Sequence, residues 1–68
     1  MNADVFNMSI RVFLKKVGVH SQREIEAAVD KAVSEGKLKG NETLPAKMVL
    51  TLGGTQLEVT FEDNIKLE

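Results

Sequence analysis

The side chains able to do chemistry are few: a single histidine, His20, beside Ser21; Glu24, four residues on; Glu58 and Glu62; and the run Gly53-Gly54-Thr55. His20 next to Ser21 suggests a base and a nucleophile. Adjacent side chains diverge, however, and Ser21-Gln22-Arg23-Glu24 has the form of a capping box. In that motif the Ser21 hydroxyl and the Glu24 carboxylate each accept from a backbone N–H left unpaired at a helix start. For a metal, His20 and Glu24 are the candidate ligands. With Glu24 engaged in the cap of a helix that His20 precedes, the two need not share a face. Glu58 and Glu62 suggest an acid and base pair, but along a strand they stand ~13 Å apart, beyond the roughly 5 to 9.5 Å of glycosidase pairs. Gly53-Gly54-Thr55 lacks the glycine spacing, the lysine and the following helix of a phosphate-binding loop. The expectation is no enzyme, no metal site and no cofactor.

The elements that carry these residues follow from periodicity. Phe6, Ile10, Phe13, Leu14 and Val17 recur at helical spacing on one side, with Asn2 or Asp4 as the cap and Gly18 as the stop. Ser21 then opens a second helix with the stripe Ile25, Ala28, Val29, Ala32 and Val33, ended by Gly36. Residues 36–45 read as a loop with a Gly40-Asn41 turn, and Pro45 belongs at a strand edge or start. Beyond Pro45 the period becomes two: Met48, Leu50 and Leu52 alternate with Lys47, Val49 and Thr51, and after Gly53-Gly54 Leu57, Val59 and Phe61 alternate with Glu58, Thr60 and Glu62. A two-residue Gly-Gly turn would pair Leu52 with Thr55, Leu50 with Leu57, Met48 with Val59 and Ala46 with Phe61, gathering the apolar residues on one face. An isolated hairpin is marginal in water, so the expected fold is α+β, with two helices packed on one face of a two-stranded antiparallel hairpin in the order α-α-β-β.

Composition bounds the rest. The chain has 68 residues, 43% hydrophobic and 28% charged, which is globular composition with room for one domain. It has no cysteine, so neither a disulfide framework nor a thiolate metal site supports the core, and a reducing cytoplasm is the expected setting. No basic leader or membrane-length apolar run is present in the sequence. Leu67-Glu68 is the dipeptide a common cloning site leaves before a purification tag, so the domain is expected over residues 1–66 with 67–68 as a remnant.

The formal charge is −1 but segregated. Residues 1–20 set Asp4 against Arg11, Lys15 and Lys16 for +2, and residues 21–36 set Arg23 and Lys31 against Glu24, Glu26, Asp30 and Glu35 for −2. A helix-turn-helix with the hairpin as its wing is the alternative architecture, and it would bind nucleic acid. Against it, the helix entering the major groove would be acidic and repel phosphate.

A protein partner fits better. Val5, Met8 and Val12 form a second apolar line on the first helix, pointing away from the Phe6/Phe13 stripe. With Arg11 and Lys15 they make the candidate partner surface, for an unidentified protein or for homodimerisation.

The run Phe6-Asn7-Met8-Ser9-Ile10-Arg11, Val17-Gly18-Val19, Ser21-Gln22-Arg23-Glu24-Ile25-Glu26 and Leu44-Pro45-Ala46 resembles a family of short bacterial proteins of unknown function. The resemblance spans nearly the whole chain and implies that the domain is an entire protein. It implies no activity, cofactor or catalytic residue. The sequence therefore supports a small cytoplasmic protein-binding or self-assembly module of unknown function.

Overall fold

The computed structural model describes residues 1–68, which divide into two units, Met1–Lys37 and Leu38–Glu68. The first unit is one helix, α1, spanning Ala3–Ser34. Asn2 caps it: its Oδ1 accepts from the backbone N–H of Asp4 at 3.0 Å and of Val5 at 3.1 Å. These are two of the donors that a helix start leaves unpaired. The far end closes as a Schellman motif, in which Lys37 N–H donates to the Ala32 carbonyl at 2.8 Å and Gly36 N–H to that of Val33 at 3.0 Å. Gly36 takes φ +75, the left-handed conformation this motif requires.

The sequence predicts two helices; the structure has one, of 32 residues and about 48 Å. Gly18 does not end a helix and Ser21 does not start one. The reason is the phase of the apolar pattern. Ala3, Phe6, Ile10, Leu14, Val17, Ser21, Ile25, Ala28 and Ala32 follow spacings of three, four and four residues, repeated along the whole element. That is an 11-residue period, about 3.67 residues per turn and close to the natural pitch of the helix, so one stripe runs straight through the supposed turn. Breaking the chain at Gly18 would leave up to four carbonyls and four N–H groups without helical partners. Keeping a glycine in the interior costs about 1 kcal/mol, and continuity wins.

Two substitutions of opposite sign follow. A Cβ at Gly18 meets nothing within 4 Å, so Gly18→Ala should stabilise the fold by about 0.5–1 kcal/mol. Gly36→Ala forces an L side chain into positive φ and should destabilise it by about 1–2 kcal/mol, although space for the Cβ is also open there. Thermal unfolding followed by circular dichroism should move the two midpoints in opposite directions.

The second unit is an antiparallel hairpin of β1 (Thr43–Thr51) and β2 (Glu58–Lys66). Its register is slipped by two residues from the predicted one: Leu50 pairs with Val59, Met48 with Phe61 and Leu44 with Ile65. Gly53-Gly54 form a β-turn, closed by Thr55 N–H on the Leu52 carbonyl, but not the tight two-residue hairpin connection that would carry the ladder up to Leu52 and Thr55. Both hairpin turns of that length need positive φ at the first central residue, and only Gly54, at φ +81, adopts it. The chain instead takes a wider loop over residues 52–57. Thr55 ties it: its N–H donates to the Leu52 carbonyl at 3.3 Å, its hydroxyl donates to the same carbonyl at 2.6 Å, and Leu57 N–H donates to that hydroxyl at 3.2 Å.

A slip of two preserves the faces, since side chains alternate with period two. Leu44, Ala46, Met48 and Leu50 share one face with Val59, Phe61 and Ile65, and Asp63 interrupts it opposite Ala46. Pro45 is accommodated because in a two-stranded sheet every strand is an edge.

The fold is thus α+β with the order α-β-β. A lone helix has no interior, nor has a two-stranded ribbon. Accordingly no residue of the chain is buried.

Candidate functional site

Of the candidate chemical groups, Ser21 lies half-buried inside α1, where its hydroxyl cannot serve as a helix cap. Helix continuity places His20 and Glu24 one turn apart on a shared face, a point the sequence left open. They remain a pair: no three His, Cys, Asp or Glu side chains cluster so as to hold a metal ion. Glu58 and Glu62 stand on the outer face of β2, opposite Thr51 and Lys47. Glu62 facing Lys47 is an opposite-charge cross-strand pair of the kind that steadies a ribbon. The hairpin's shallow depression is lined by Pro45, Ala46, Lys47, Glu62, Asp63 and Asn64, and it is open to solvent.

Glu42 is the residue that sequence reasoning misses. The backbone N–H groups of Lys39, Gly40 and Asn41 converge on its carboxylate at 2.8, 2.9 and 3.2 Å, so the loop forms an anion-binding concavity and fills it with its own side chain. The Lys39 N–H, then that of Gly40, holds the Glu42 carboxyl below its ordinary range. Gly40, at φ +105, provides the left-handed turn that aims these donors inward. The only signal in the sequence is a glycine-containing turn followed by an acid two residues on, and it carries no weight beside the turn itself.

A carboxyl with a depressed folded pKa contributes stability above its unfolded pKa of about 4.3 and loses it as pH falls through the folded value. Amide exchange at Lys39, Gly40 and Asn41, corrected for its intrinsic pH dependence, should therefore lose protection as the solution is acidified past that point. In Glu42→Gln the protection should be weaker at neutral pH and nearly independent of acidification.

Val5, Met8 and Val12 are exposed at 61%, 60% and 61%, and helix continuity carries their line on to Val19. Diametrically across α1 runs the long stripe through Phe6, Ile10, Leu14 and Val17, on which Phe6 is 49% and Leu14 55% exposed, with Phe13, at its edge, 49% exposed. Arg11 and Lys15, one turn apart, occupy the flank between these two lines. The apolar face of the hairpin is open as well, with Phe61 at 57%. The turn on which a helix-turn-helix depends is absent, because residues 18–21 are helical. No helix is long and apolar enough to cross a membrane.

Among families of known sequence, one described as a family of unknown function, DUF6494, matches residues 1–68. The chain belongs to that family. The expected resemblance to a family without an assigned activity is thereby established over the whole length, and DUF6494 brings no catalytic residue to place on the structure. No curated protein and no solved structure matches the chain. The surface of this DUF6494 chain carries an amphipathic helix of 32 residues whose apolar stripe has no fully buried residue.

Proposed function

We propose that this chain is a protein-binding module whose folded form is completed by another polypeptide laid along the long stripe of α1. Binding, not catalysis, is the activity proposed. One observation carries the reading: a sequence that is 43% hydrophobic buries none of its residues. Ordering a chain costs roughly 1–2 kcal/mol per residue in backbone entropy alone, and burial of apolar surface is the main term that offsets it. An unburied stripe leaves that cost unmet until something covers it. The helix supports the same reading, because isolated helices in water are marginal and draw most of their stability from packing of an amphipathic face.

The long stripe is the principal surface, since it runs the length of the helix, while Val5, Met8 and Val12 line only its first half. Arg11 and Lys15 border the contact, where exposed charges set specificity more than affinity.

Light scattering coupled to size exclusion tests this at micromolar concentration and at two ionic strengths. The expected result is a helical species heavier than one chain, persisting in high salt, because apolar contacts are not screened. A single chain with little helix would assign the partner to a different protein. A fully helical single chain would overturn the proposal.

A further inference from the structure

We infer that the partner on the long stripe of α1 is a second copy of this chain, lying antiparallel to the first. The inference rests on the association reading above and names its occupant and direction. Two independent features of the helix point the same way.

The first is charge. The N-terminal segment, with Arg11, Lys15 and Lys16 against Asp4, is +2, whereas residues 21–36 are −2. Side by side and parallel, two copies would set positive half against positive half and negative against negative. Antiparallel, each half meets its opposite, and the helix macrodipoles also oppose head to tail. Arg11 and Glu24 border the stripe, whereas Lys16, Glu26 and Asp30 lie on the far side of the helix, so the preference comes from the net field of each half and weakens with salt.

The second is size. The first half of the stripe carries the bulky residues Phe6, Ile10 and Leu14, and the second half carries Ala28 and Ala32. Parallel pairing would oppose Phe6 to Phe6 and Ile10 to Ile10 in the first half, forcing the helices apart, and Ala28 to Ala28 and Ala32 to Ala32 in the second, leaving a gap. Antiparallel pairing about Ser21 sets Ile10 level with Ala32 and Leu14 level with Ala28, so large residues meet small ones, the arrangement that fills an interface at constant separation. Ser21, close to the middle of the stripe, then falls near the two-fold axis of a self-complementary contact.

The sequence contains no cysteine, so a spin label on a single introduced thiol reports one distance. Ser9→Cys places the label on an exposed side of α1 away from the stripe. In an antiparallel pair centred near Ser21, residue 9 lies roughly level with residues 29–33 of the second copy, and the label-to-label distance should be about 35 Å. A parallel pair would give less than about 20 Å. Asp30→Cys, also off the stripe, serves as the second probe, with about 30 Å expected. Pulsed dipolar spectroscopy would be run on samples whose mass by light scattering is known.

Two chains with the long distances support the inference. Two chains with short distances overturn the antiparallel arrangement while the association reading stands. An unfolded single chain overturns the second copy as partner and leaves association with another protein. A folded single chain overturns both.

Discussion

Leu14→Asp is expected to abolish association and, with it, most of the helical signal. Leu14 is the middle bulky residue of the long stripe and is 55% exposed in the single chain. Within its own chain it loses only contacts with neighbouring turns of α1 and a few tenths of a kcal/mol of helix propensity, so a large effect must come from what covers it. Fully burying a leucine contributes about 1.5–3 kcal/mol, and a two-fold contact counts it twice. Replacing it with a carboxylate adds the cost of desolvating a charge, which is larger still unless the charge is paired. A loss of at least about 3 kcal/mol per pair corresponds to a dissociation constant raised roughly a hundredfold or more. Sedimentation velocity across a concentration series would read this directly. Val12→Asp is the companion variant. It lies on the opposite line of α1 and should leave the mass essentially unchanged. Were Val12→Asp and not Leu14→Asp to dissociate the species, the contact would belong to the line of Val5, Met8 and Val12.

Ser21→Leu should do the reverse. Ser21 is the one polar residue among the nine positions of the stripe, and it is half-buried by its own helix even before a partner arrives. Leucine at that position completes the apolar repeat, has higher helix propensity than serine, and removes a hydroxyl that competes for backbone partners. With burial contributing about 1.5–3 kcal/mol per chain, the dissociation constant should fall tenfold or more and the thermal midpoint should rise. Overpacking at a two-fold axis would appear as an unchanged or lower midpoint. In that event Ser21 would be sitting where two helices cross too closely for a larger side chain.

The sequence and the structure agree where the deciding information is local. Asn2 as the N-cap and Gly36 as the helix stop are short-range signals with one dominant mechanism each, and both are realised. The alternation around Met48, Leu50, Val59 and Phe61 is equally local, and it places those residues together on one face of the hairpin.

Disagreement arises where two local signals compete. Gly18 is both a helix stop and a tolerable helix interior, and Ser21-Gln22-Arg23-Glu24 reads as a capping box only if a helix begins there. The 11-residue repeat that settles the matter is visible only over the full 32 residues, beyond the window in which stop and start signals are weighed. Register differs for another reason. It depends on the sign of φ at Gly53, which glycine leaves open because either sign is accessible to it. Glu42 escapes sequence reasoning because its partners are backbone N–H groups whose convergence exists only once the loop is formed. The candidate surface is legible in part: Val5, Met8 and Val12 are exposed as a line, but only the joining of the two expected helices into one reveals the longer stripe opposite them.

Whether folding is completed by association is decided by far-ultraviolet circular dichroism of the full chain over a wide dilution series, paired with sedimentation at the same concentrations. Helical signal and mass should fall together on dilution, with a midpoint that shifts with total protein. Full helicity retained in a species of one chain, independent of concentration, would contradict the coupling of folding to association.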